Sequence, residues 1–136
     1  MELIIDLRWL GNGTEPVTQL SYFAAKVNTL ETDGVYILID NHTYYHGPAV
    51  AYQLKQQIED AFLIGGSTGA PLNRFVASST DYLPNSGLSF GVLERYSCVD
   101  ESMGNAVLQP DVLVQQTLED YKNGIDTVFQ HALDAE

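Results

Sequence analysis

Asp40, His42, Tyr44 and His46 stand at every second position of one short stretch. On an unbroken strand that spacing puts all four side chains on one face, and imidazole with carboxylate is a ligand set for Zn²⁺ or a similar ion. Asn41-His42, however, has the composition of a hairpin turn, which breaks the alternation, and the remaining histidine, His131, lies far along the chain. The residues therefore favour a surface hairpin without a metal, whose tyrosines offer large contact area with a polar tip. His42, Tyr44, Tyr45 and His46 are assigned to an interaction surface on this ground.

Other chemistry-bearing groups are weaker. Gly11-Asn12-Gly13-Thr14, between a strand and a helix, is a place where backbone N–H groups meet phosphate, but the third glycine of a dinucleotide fingerprint and the Gly-Lys-Ser/Thr ending of a P-loop are missing. Gly65-Gly66-Ser67-Thr68-Gly69-Ala70-Pro71 follows a helix and lacks a lysine, so it reads as an exposed loop. Cys98 falls on the apolar side of a strand pattern and reads as a small buried hydrophobe rather than a nucleophile. Glu94 interrupts that same apolar face, and an inward-pointing charge marks a sheet edge or interface, so it joins the interaction surface. No catalytic residue, cofactor or metal ligand is assigned.

The elements that must position these residues follow from periodicity. Leu3, Ile5, Leu7 and Trp9 alternate with Ile4, Asp6 and Arg8 and predict a first strand. Thr14 is placed to cap a helix with Glu15 and Pro16 in its first turn and an inward stripe of Val17, Leu20, Ala24, Val27 and Leu30. Val35 to Asp40 is a nearly continuous β-prone run of central-strand type, with Thr43–His46 as its hairpin return. Gly47-Pro48 opens a second helix whose buried stripe is Ala51, Leu54, Ile58 and Ala61/Phe62. Leu72 to Ser79 and Leu88 to Cys98 predict two further strands, and Ala106-Val107-Leu108 a few residues of edge strand. From Pro110-Asp111 toward Asp134, apolar residues at spacings of four and three predict one long helix. Its apolar arc, widened by Phe129 and Leu133, exceeds one contact face, so those two also join the interaction surface. The expected fold is a single α/β (α+β) domain over residues 1–136, with a central mixed or antiparallel sheet of about five strands, three helices, and the order β-α-β-β-α-β-β-α.

Composition restricts the partners. Six Lys+Arg against eighteen Asp+Glu give a net charge of −12, which disfavours nucleic acid and anionic membranes. No stretch approaches the ~20 apolar residues of a membrane span, the single cysteine excludes an intrachain disulfide, and the start of the chain reads as a strand, so a cytoplasmic setting or assembly into a particle is expected. Without paired catalytic groups, the sequence favours a non-catalytic assembly or adaptor subunit, such as a phage or virion component, acting on a protein partner or by self-association. The alternatives are an acidic inhibitor covering a basic site on a toxin or nuclease and a small ligand- or metal-binding domain.

Overall fold

A computed structural model describes residues 2–11 and 17–134. The chain divides into two compact units, one formed by Met1–Ala70 and Val107–Glu136, the other by Pro71–Ala106.

The first unit is built on a four-stranded, wholly parallel sheet. Its strands are β1 (Glu2–Asp6), β2 (Gly34–Ile39), β3 (Ala61–Gly65) and β6 (Val112–Leu113), in that spatial order. Helix α1 (Val17–Val27) connects β1 to β2, and α2 (Gly47–Gln57) connects β2 to β3. Residues of β2 pair directly with both neighbours, Ile4 with Tyr36 and Leu38 with Ile64. The continuous apolar run of β2 is thereby explained: Val35, Ile37, Leu38 and Ile39 are all essentially buried, as expected for a strand covered on both faces. Leu38 and Ile64 pack on Val128 and Ala132 of α4 (Thr127–Leu133), with Ile4, Tyr36 and Val114 at the margin. Alternation turns Val35, Ile37 and Ile39 to the opposite face, and α2, which packs on α1, lies against β2 and β3 with Ala51, Leu54 and Ile58 buried.

The second unit holds a two-stranded antiparallel ribbon, β4 (Arg74–Tyr82) with β5 (Ser89–Ser97). Its register slips between Val76 and Ala77 and again between Ala77 and Ser79, the signature of β-bulges. Asn73, 1% exposed, closes the base of the ribbon. Its amide donates to the Asp100 and Gly104 carbonyls at 2.6 and 2.9 Å, and its oxygen accepts from the Val99 and Asp100 N–H groups at 2.7 and 3.1 Å.

The mixed α/β class agrees with the expectation; several elements do not. Thr43–His46 forms no return strand, because both edges of β2 are already occupied by β1 and β3. The expected terminal helix is instead β6, α3 (Leu118–Lys122) and α4. Asp111 draws the first part onto the open edge of β3: its N–H donates to the Leu63 carbonyl and its carboxylate accepts from the Leu63 N–H, both at 2.8 Å. Thr117 and Asp126 then cap separate helices, and Gly124 between them adopts a left-handed φ of 71°. Leu30 lies beyond α1 and is exposed. The expected cap at Thr14, and the glycine turn from Asn12 onward, fall outside the described residues. Cys98 is exposed rather than buried, and so is Glu94, which accepts a hydrogen bond from Ser79 Oγ at 3.2 Å. The loop after β3 is not simply exposed either. Thr68 is buried, donates from Oγ1 to the Ala70 carbonyl at 3.0 Å and accepts from the Leu108 N–H at 3.1 Å. Among the described residues, no helix is long and apolar enough to cross a membrane.

Two outcomes test this packing. Leu38→Ala removes a side chain enclosed between β2 and α4 and is expected to cost about 2–5 kcal/mol in denaturant unfolding, with an unchanged m-value. Asn73→Ala strips partners from partly buried backbone groups in the second unit; its expected cost is about 1–3 kcal/mol, with faster amide exchange at Val99 and Asp100.

Candidate active site

All four strands of the parallel sheet point their carboxyl ends at the same edge, the place where open parallel sheets carry their ligands. A cleft of about 470 Å³ lies there, lined by Arg8 after β1, Asp40–His42 after β2, Gly66 and Ser67 after β3, and Leu113–Gln116 at and beyond β6, with Gln109 and Val128.

The β2–α2 turn is fixed by reciprocal bonds between Asp40 and Thr43. The Asp40 N–H donates to Thr43 Oγ1 at 3.0 Å, and Asp40 Oδ1 accepts from the N–H groups of His42 and Thr43 at 2.9 and 3.1 Å. Thr43, fully buried, also donates from Oγ1 to the Leu7 carbonyl at 3.1 Å, tying the turn to the end of β1. Gly47 begins α2 so close to β1's extension that a Cβ there would stand 2.6 Å from the Leu10 carbonyl oxygen, so only glycine fits. This turn leaves Asp40 Oδ2 3.2 Å from Nδ1 of His42. A carboxylate at Nδ1 orients the ring and favours the tautomer whose Nε2 accepts a proton. On one face the His42 ring is stacked by Trp9, centroids 3.8 Å apart and planes 14° from parallel.

Arg8 stands beside this pair and is committed to structure. Its guanidinium grips Asp6 (3.0 and 2.7 Å) and Asp126 (2.9 and 2.7 Å), each in two-point contact. The two carboxylates hold the guanidinium's pKa even higher than usual, against the opposing effect of burial. Asp126 in turn lies below the usual carboxylate range, chiefly because of the Arg8 hydrogen bonds, with burial opposing and the Phe129 N–H assisting. The same carboxylate caps α4 through that N–H at 3.0 Å. One ion pair therefore pins the helix that covers Leu38 and Ile64 to the strand end beside the cleft. Gln116 adds a second tie, donating to the Ile125 carbonyl at 2.8 Å and accepting from the Thr127 N–H at 3.1 Å.

The residues singled out by sequence are distributed unevenly. Asp40 and His42 do come together, but in a turn rather than along a strand, and of the four alternating residues they alone line the cleft. Tyr44 is exposed. Tyr45 sits at φ 54° just before α2 and meets the His46 ring edge-on at 4.3 Å. Nucleophile-elbow hydrolases place serine on such a strained strand-to-helix turn; here the residue is a tyrosine, and the serine of the cleft is Ser67 on the loop after β3. Phe129 and Leu133 lie on the exposed side of α4, away from Val128 and Ala132, and Glu94 belongs to the other unit. Arg8, Trp9, Ser67, Gln116 and Asp126 were missed by pattern reading. The Asp6-x-Arg8 spacing was the available signal for an ion pair on one strand face, whereas Asp126 lies 118 positions from Arg8 and gave none. Among the described residues, no three His, Cys, Asp or Glu side chains are grouped to hold a metal ion.

No protein-family model and no curated protein matches the chain. Solved structures do. A candidate peptidase from Parabacteroides merdae aligns at 20% identity and TM-score 0.66 over 97% of this chain and 50% of its own. The tricorn protease aligns at 17% identity and TM-score 0.66 over 98% of this chain and 14% of its own. At these identities the likeness is one of fold, and the chain spans half or less of each neighbour. Both neighbours are described as peptidases, which overturns the expectation of a non-catalytic assembly or adaptor subunit and, with it, the inhibitor and small ligand- or metal-binding alternatives.

The Arg8–Asp126 pair has a testable acid signature. A carboxylate whose folded pKa is depressed contributes stability above its unfolded pKa, about 3.9, and loses it as pH falls through the folded value. Asp126→Ala is expected to cost about 1–2 kcal/mol near neutrality through the lost cap and ion pair. Its unfolding free energy should depend less steeply on pH than the parent's below about pH 4, as read by urea titration across pH.

Proposed function

We propose that this chain supplies the cleft of a peptidase-type hydrolase. The observation that carries the reading is the Asp40–His42 pair at the carboxyl ends of a parallel sheet, in a cleft that Ser67 also lines. The peptidase fold of the neighbours supports it.

In this reading Asp40 keeps the Nδ1 proton of His42 in place, and Nε2 takes the hydroxyl proton of Ser67 as Oγ attacks the substrate carbonyl carbon. The same imidazolium then returns that proton to the departing amine, and a water molecule, deprotonated by His42 in its turn, releases the acyl group. The cleft's volume suits a short peptide segment, and Leu113, Val114 and Val128 give it an apolar side.

Hydrolysis of a fluorogenic peptide library by the protein tests the proposal. His42→Ala and Ser67→Ala are each expected to lower kcat by about 10³-fold or more, with the fold preserved by circular dichroism, and a fluorophosphonate should label Ser67. Absence of hydrolysis in the parent protein, or turnover unaffected by both substitutions, overturns it.

A further inference from the structure

We infer that Trp9 is a positioning residue: its indole holds the His42 imidazole in the orientation from which Nε2 faces the cleft. The inference rests on the hydrolytic reading of the cleft, and it explains a feature that packing does not. Trp9 has φ 69°, a left-handed conformation that bulky side chains rarely adopt and that clusters at functional sites. It is also 75% exposed, so core burial does not offset the strain. What the strained backbone does achieve is the stack on His42, with 3.8 Å between centroids and nearly parallel planes.

The need for such a contact follows from the rest of the His42 environment. The imidazole side chain is 45% exposed, and its Nδ1 edge meets Asp40 at 3.2 Å. A single long hydrogen bond at one edge leaves a half-exposed ring able to swing about its side-chain torsions. A flat partner on one face removes that freedom, fixing the plane while Asp40 fixes the edge. Nε2 is then the edge left for proton transfer, and a small misorientation of such a group is expensive in rate.

Trp9 is the one tryptophan of this chain, so indole emission reports on this one environment. In solution, His42→Ala is expected to alter Trp9 emission, and the His42 ring protons should be shifted upfield of those of His131, the shift vanishing in Trp9→Ala. With a fluorogenic peptide substrate, Trp9→Ala should lower kcat about a hundredfold with KM little changed, and Trp9→Phe, which keeps a stacking ring, should recover most of it. Absence of the ring-current shift overturns the inference whatever the hydrolysis. So does a Trp9→Ala protein with the parent's kcat, or a Trp9→Phe protein as slow as Trp9→Ala. An intact stack in a parent protein that hydrolyses no peptide overturns the peptidase reading alone.

Discussion

The burial of β2 governs the arrangement of the first unit. A strand paired on both edges and covered on both faces must be largely apolar, and Val35, Ile37, Leu38 and Ile39 meet that demand. Its first charged side chain, Asp40, comes where the strand leaves the sheet. A partly enclosed carboxylate without partners would be costly, and Asp40, half-buried, turns the chain by accepting the N–H groups of His42 and Thr43. The catalytic pair of the proposed mechanism is thus a by-product of how a fully enclosed strand has to end.

The cleft is assembled from segments distant in sequence, and charge rather than packing holds its rim. Arg8 and its two carboxylates join the end of β1 to the start of α4. Because four of its N–H groups are engaged, the guanidinium acts as a brace beside the neighbouring turn. Gly47 and Gly69 allow the surrounding backbones to close in, since a Cβ at either would lie within 2.6 and 2.0 Å of a carbonyl oxygen.

The second unit obeys a different rule. Its ribbon has two strands, too few to bury a face of its own, and Phe75, Tyr82, Leu88, Phe90 and Leu93 remain substantially exposed. Cohesion comes instead from the four-bonded Asn73 and from the Phe75–Tyr96 ring pair at 5.0 Å. Alternating apolar residues along β5 look like a half-buried strand from sequence, but burial needs a second layer, which a periodicity does not contain.

Sequence by itself determined the elements whose signal is local: the first strand as far as Asp6, the apolar central run, the Gly-Pro start of α2 with its buried Ala51, Leu54 and Ile58, and the mixed α/β class, whereas Ala61 and Phe62, expected on that helix, begin β3. It also marked Asp40, His42, Tyr44 and His46 as one chemistry-bearing group, of which the cleft keeps the first two. Tertiary structure alone decided that the sheet is parallel, because pairing direction depends on which strands compete for an edge. It divided the residues after Pro110 into a strand and two helices, because the open edge of β3 outweighed helical periodicity through Asp111. Above all it laid Trp9 on the His42 ring, set Arg8 and Ser67 in the cleft that His42 lines, and joined Asp126 to Arg8, a convergence across the chain that leaves no spacing for a sequence to display.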